Sequence, residues 1–154
     1  MVKMDTQQIL TKVSDFMNDQ VPFQRSLGFE ITQFSSAKGE VKFRWQDELM
    51  GNVPQRILHG GVTATALDTA GGLVAIAGMV ERLDNPSESY LIERLSRCGT
   101  IDLRVDYLRP GRGTEFIASA TVIRSGNKVA VARMELHNED GIHIAFGTGT
   151  YLVG

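Results

Sequence analysis

A single cysteine, Cys98, stands in the whole chain of 154 residues. No internal disulfide can form, and one free thiol fits a reducing compartment. Prolines number only four, so long stretches are free to run as helix or strand. Neither charge sign is in excess: 16 Lys and Arg against 18 Asp and Glu leave a net charge of −2. A nucleic-acid binder carries a basic surplus, so that class is not expected. The opening MVKMDTQQILTKVSDFM has no unbroken apolar stretch and no small-residue cleavage site. No secretory leader is read there, and the expected location is the cytoplasm. Repeats, low-complexity tracts and linkers are absent as well, which leaves one domain over 1–154. With 42% hydrophobic residues, that domain is large enough to close a core.

Only one long apolar run is present, LHGGVTATALDTAGGLVAIAGM from Leu58 to Met79. It is apolar on nearly every side of a helical wheel, which predicts a helix over about 59–79 buried all round. At 1.5 Å per residue it would be about 30 Å long, close to a membrane span. Its glycines, its one acid and the strand patterns on either side argue for a core helix and against membrane insertion. Asp68 is the anomaly. A carboxylate among aliphatic neighbours is costly to keep ionised unless it has a partner, a route to water or a task.

Around this run the chain alternates as strands do. Residues 5–19 predict a first helix with Ile9, Leu10, Val13, Phe16 and Met17 on one face, capped by Asp5 or Thr6 and ended at Val21-Pro22-Phe23. Leu27–Phe34 and Val41–Gln46 read as strands joined at Lys38-Gly39, followed by a loop holding Asn52, Pro54 and Gln55. The polar stretch after Met79 reads as a surface loop with a short helix near 88–96. Four strands follow over 101–107, 115–124, 129–136 and 142–153, and their short links predict an antiparallel meander. The last strand presents Ala145, Gly147 and Gly149 on one face, while the helix carries Gly71, Gly72 and Gly78. Glycine in a strand marks close approach, so helix and sheet should lie in close contact.

HGGVTATALDTAGGLVA, GTIDLRVDYLRPGRG, RSGNKVAVARMELHNEDG and the terminal TGTYLVG together resemble the hotdog-fold acyl-CoA thioesterases. More narrowly, they look like the bacterial medium- and long-chain enzymes of the phenylacetyl-CoA-thioesterase-like branch. The resemblance implies an α+β hotdog fold, in which an antiparallel sheet of about six strands wraps the long helix. It also implies a hydrolase acting on acyl-CoA in fatty acid metabolism. No cofactor is implied, since coenzyme A is part of the substrate.

The same resemblance assigns residues. Gly60 would polarise the thioester carbonyl through its N–H, and Asp68 would be nucleophile or general base. Thr100 would position the attacking water, and Asn52, or Gln55 in its place, would contact substrate. The residue chemistry agrees: first-turn amides are unpaired, face the positive end of the dipole, and glycine lets a carbonyl approach. His59 has two readings, one orienting the site and one capping the helix. Asp68 likewise could be a structural anchor, and Thr100 a simple strand starter. Gly61 and the cationic Arg109, Arg112, Arg124 and Lys128 are candidates for holding the substrate and its CoA phosphates. The arginines sit on two links that would lie at opposite ends of neighbouring strands.

Spacing adds a further expectation. Gly60 and Asp68 are eight residues apart, about 12 Å along one helix. One copy cannot bring both to one carbonyl, so a homodimer with shared sites is expected, with pairing into a homotetramer left open. Two competitors remain. One is a non-catalytic acyl-CoA binder or sensor on the same fold. The other, a hydratase or dehydratase, needs a histidine soon after the Asp, and residues 69–80 hold none. His137 and His143 with Glu139 and Asp140 match no metal-ligand spacing, so no metal is expected.

Overall fold

The structure, a computed structural model, describes residues 4–154. Met1–Lys3, part of the stretch read for a leader, lie outside the described residues. α1 (Thr6–Gln20) starts from a capping box. The Asp5 carboxylate accepts from the Gln8 N–H at 2.8 Å, and the Gln8 side chain accepts from the Asp5 N–H at 3.0 Å. Asp5, not Thr6, is therefore the cap. Ile9, Leu10 and Val13 are buried, but Phe16 is exposed, so the buried face is shorter than the stripe predicted. Pro22 ends α1 and at once opens a five-residue helix, α2 (Pro22–Ser26), from the first-turn position that suits it.

β1 (Glu30–Phe34) is shorter than the predicted 27–34 because Gly28 takes φ +68 and turns the chain first. β2 (Gly39–Arg44) buries Gly39, Val41 and Phe43 on alternate positions. The expected loop after it holds a small hairpin, β3 (Met50–Asn52) with β4 (Ile57–Leu58). Then comes the long helix, α3 (Gly60–Val80), followed by α4 (Glu88–Ser96) with Ser87 as its cap. β5 (Gly99–Tyr107), β6 (Glu115–Ser125), β7 (Val129–Asn138) and β8 (His143–Leu152) complete the chain.

All neighbours in the main sheet are antiparallel, in the order β1-β2-β6-β7-β8-β5. The predicted four-strand meander is corrected at one point: β6, β7 and β8 do form one, but β5 pairs with β8 at the far edge. The link 108–114 is consequently no hairpin. It crosses the end of the β7–β8 turn, with the N–H groups of Leu108 and Arg109 both donating to the Ile144 carbonyl. Asn138 Nδ2 donates to the Arg112 carbonyl from the same turn. α3 packs on one face of this sheet against β2, β6, β7 and β8, which is the hotdog arrangement.

Glu139 clamps the crossing. Its carboxylate accepts from the N–H and hydroxyl of Thr114, both at 2.9 Å, and from the N–H of Glu115 at 3.2 Å. These bonds, led by the Thr114 amide, hold its carboxyl well below the usual range, at about 2. The unfolded chain would protonate it near 4.5. The stabilisation is therefore complete above that value and disappears as pH falls through about 2. In urea denaturations run from pH 5.5 to 2.5, wild type should lose more stability than Glu139→Gln.

Gly71 and Gly149 mark a close approach, as predicted, by a route the pattern did not show, whereas a Cβ on Gly72 or Gly78 would meet nothing nearer than 3.7 Å. A Cβ on Gly39 would stand 2.6 Å from the Ala70 carbonyl oxygen, so β2 meets the helix backbone directly. On the β8 side the slot is filled by a ring. A Cβ on Gly71 would lie 2.2 Å from Tyr151 Oη, and one on Gly149 would lie 2.4 Å from it. Tyr151, 3% exposed, thus lies between helix and sheet where both are stripped of side chains. Alanine at position 71 should gain about 1 kcal/mol in helix propensity and lose roughly 1–3 kcal/mol to overpacking. Gly71→Ala is therefore expected to lower the urea midpoint, and adding Tyr151→Phe should recover part of the loss.

The helix is not buried all round. Gly61, Thr65, Asp68, Gly72 and Ile76 are each only partly buried or exposed, and successive members lie three or four residues apart. They form one stripe that the chain's own sheet leaves uncovered. Asp68 lies in the middle of that stripe, so the anomaly of an acid sealed in the core does not arise.

Candidate active site

His59 is the residue before the first turn of α3, in extended conformation (φ −62, ψ 135). Its Nδ1 accepts from the Gly61 N–H at 2.8 Å, so the histidine does cap the helix. Gly51 makes room for it, since a Cβ there would lie 2.5 Å from His59 Cα. With Gly61 engaged and the N–H groups of Val62 and Thr63 directed at the His59 carbonyl, the Gly60 N–H has no acceptor among the described residues. The Gly60 carbonyl accepts from Tyr107 Oη at 2.6 Å, which fixes the first peptide of the helix from the β5 side.

Two turns on, the Asp68 carboxylate accepts from the Thr100 hydroxyl at 2.9 Å. Thr100 belongs to β5, the strand that flanks the uncovered stripe. From the opposite side, Tyr151 Oη donates to the Asp68 main-chain carbonyl at 3.2 Å. Burial first, and the Asp68 charge second, push the Tyr151 phenol far above its ordinary value, so it remains a donor. Burial also raises Tyr107. Neither tyrosine was singled out from the sequence. A signal for Tyr151 was present: an aromatic ends the strand face whose other members are Ala145, Gly147 and Gly149.

The structure brings the sequence candidates together in two groups. His59, Gly60 and Gly61 gather with Tyr107 at the helix start, beside a cavity of about 360 Å³ with Arg109 and Pro110 on its wall. Asp68 and Thr100 form the second group, next to a cavity of about 130 Å³ between α3 and the sheet, lined by Gly72, Ile76, Cys98 and Tyr151 among others. Asn52 lies near the helix start on the β3–β4 hairpin, where its side chain accepts from the Gln55 N–H at 3.2 Å. Arg112 Nη1 donates to the Gln55 carbonyl at 2.6 Å, and Arg109 Nη1 to the His143 carbonyl at 3.0 Å. Arg124 and Lys128 flank the β6–β7 turn at the other end of the sheet, both exposed. Opposite ends was the right reading, but β5 and β6 are not neighbours.

A long helix packed on one face of a six-stranded antiparallel sheet, with an amide at its start that has no acceptor among the described residues and a carboxylate at its uncovered middle, defines a hotdog protein. The chain belongs to the thioesterase superfamily, whose family profile matches residues 55–145. It is 51% identical to the medium/long-chain acyl-CoA thioesterase YigI of Salmonella typhimurium over 96% of both chains. Identity to the protein of that name from Escherichia coli K12 is 50%, with the same coverage. A crystal structure of a Shewanella oneidensis protein described as related to the thioesterase superfamily superposes with a TM-score of 0.92, at 52% identity and 97% coverage of each chain.

Proposed function

We propose that this protein hydrolyses medium- to long-chain acyl-CoA thioesters to free acid and CoA at sites shared between two copies. The observation that carries the reading is that one helix holds both a Gly60 amide with no acceptor among the described residues and, on its uncovered stripe, a Thr100-held Asp68. Acyl-CoA as substrate is supported by the names of the relatives at 50–51% identity. Within one chain the two groups remain about 12 Å apart along α3, so they serve a common carbonyl only across an interface. The stripe supplies a place for it, because its small residues let a second α3 approach antiparallel. β5 adds an unpaired sheet edge alongside, another feature that invites a second chain.

In this arrangement the partner's Gly60 N–H binds the thioester oxygen and stabilises the charge that develops on it. Asp68 either attacks the carbonyl carbon itself or takes the proton from a water that Thr100 helps to position. In the first route the C–S bond breaks to leave an acyl–Asp68 anhydride, which water then cleaves to free acid, and the thiolate is protonated from solvent. In the second, the proton taken by Asp68 passes to the departing sulfur. Arg109 and Arg112 form a cationic rim near the helix start, and Arg124 and Lys128 a second one for the other end of a paired assembly. The acyl tail runs along α3 into the cavity at Gly72 and Ile76, toward Cys98. A thiol-release assay over acyl-CoAs of graded length tests this reading, and absence of turnover on every one of them would favour the non-catalytic binder. Ile76→Phe narrows that cavity and should shift preference to shorter chains, by roughly tenfold in relative kcat/KM for the longest substrates.

A further inference from the structure

On the outer face of the sheet, away from α3, β7 and β8 bring three metal-ligating side chains together. Along β7 the inward residues are Ala132, Met134 and Leu136, fully buried, so Arg133, Glu135 and His137 face out. His137 stands opposite His143 in the β7–β8 ladder, and the two imidazoles stack with centroids 4.5 Å apart and planes 14° from parallel. Glu135 is two residues before His137 on the same face. One donor atom from each of the three lies within 4.8 Å of the others.

Two further observations point to a ligand. His143 Nε2 is buried and has no hydrogen-bond partner among the described residues. Leaving such an atom unsatisfied is unfavourable, and an ion or ordered water is its ordinary explanation. The Glu135 carboxylate is in no ion pair among the described residues. The nearest guanidinium along the strand, Arg133, is engaged elsewhere, 4.5 Å from the centroid of the Phe146 ring. Arg109 is also engaged, with the His143 carbonyl. The acids that the sequence placed beside these histidines are the wrong ones. Glu139 is committed to Thr114 and Glu115, and Asp140 is exposed on the turn.

We propose that Glu135, His137 and His143 form a binding site for one borderline-soft divalent cation, of which Zn²⁺ is the reference case. Two imidazoles and one carboxylate select Zn²⁺ or Ni²⁺ over Mg²⁺ and Ca²⁺, which take all-oxygen shells. Tetrahedral bonds of about 2.0–2.2 Å require donors roughly 3.4 Å apart, so from separations of up to 4.8 Å the side chains must close by up to about 1.4 Å, through rotation about their torsions. Water would complete the shell. Bound there, the ion would tie β7 to β8 at the end of the sheet where the 108–114 link crosses. It would stabilise the fold by mass action without entering the catalytic chemistry.

The test is calorimetric titration of the full-length, metal-stripped protein with Zn²⁺ and separately with Mg²⁺. One equivalent of Zn²⁺ per chain is expected, with a Kd on the order of 10 μM or tighter. His143→Ala should weaken binding at least tenfold, Glu135→Gln several-fold, and Mg²⁺ should not bind. The wild type should also show a Zn²⁺-induced rise in Tm that His137→Ala/His143→Ala lacks, with turnover unaltered in both. Should the histidine variants fail to fold, ¹⁵N shifts of the wild-type imidazoles on adding Zn²⁺ decide. No saturable binding, equal binding by the double variant, or shifts confined to His59 would each overturn the proposal.

Discussion

Asp68→Asn is expected to lower kcat by about 10²–10⁴-fold with KM little changed. The substitution keeps the shape of the side chain and leaves an oxygen to accept from Thr100, so the bond at 2.9 Å need not be lost. What disappears is the negative charge, and with it the ability to attack a carbonyl or take a proton from water. A purely structural Asp68 would give the reverse pattern, a lower melting temperature with turnover nearly intact. Steady-state thiol release and thermal denaturation on the same preparation separate the two. Full turnover by the asparagine variant would remove Asp68 from the chemistry.

The second large effect concerns an atom rather than a side chain. Proline at position 60 deletes the one amide hydrogen assigned to the thioester oxygen, and the local backbone suits it. Position 60 opens the helix, where proline is well tolerated. His59 already holds the extended conformation that a following proline demands. The added bulk meets Tyr107 Oη, 3.3 Å from a Cβ at this position, and that side-chain tip must yield by a few tenths of an ångström. Gly60→Pro is therefore expected to fold and to lose about 10²–10³ in kcat. Mixing Gly60→Pro chains with Asp68→Asn chains after subunit exchange should restore activity, because each mixed dimer then holds one site with an intact Gly60 and an intact Asp68. Two inactive parents that remain inactive on mixing, once exchange is verified, would exclude the shared site.

How far these sites were legible in the sequence depends on the range of the signal. His59, Gly60 and Asp68 belong to one continuous run, and helix geometry alone fixed their spacing. The bounds of α4 and the close approach of α3 to the sheet were equally local in origin. Strand order was not. The link 108–114 looks like a hairpin turn in sequence, and only the pairing of β5 with β8 shows it to be a crossing. Tyr107 and Tyr151 escaped for the same reason, since a tyrosine ending a strand says nothing about which helix carbonyl its hydroxyl will reach. The uncovered stripe on α3 was hidden because glycine, threonine and isoleucine fit an apolar helix whether or not a sheet covers them. Glu135 was passed over in favour of nearer acids, although the pleat of β7 sets it on the same face as His137.

The edge position of β5 also carries a kinetic consequence. β6, β7 and β8 are joined by short turns and find one another early, whereas β5 must wait for partners 38 to 53 residues downstream. Thr100 and Tyr107, which hold the carboxylate and the first helical peptide, are both on that late strand. On the ribosome the two halves of the proposed site therefore come into register only after β8 has emerged, and a nascent chain stalled before residue 143 would carry α3 with neither of those braces.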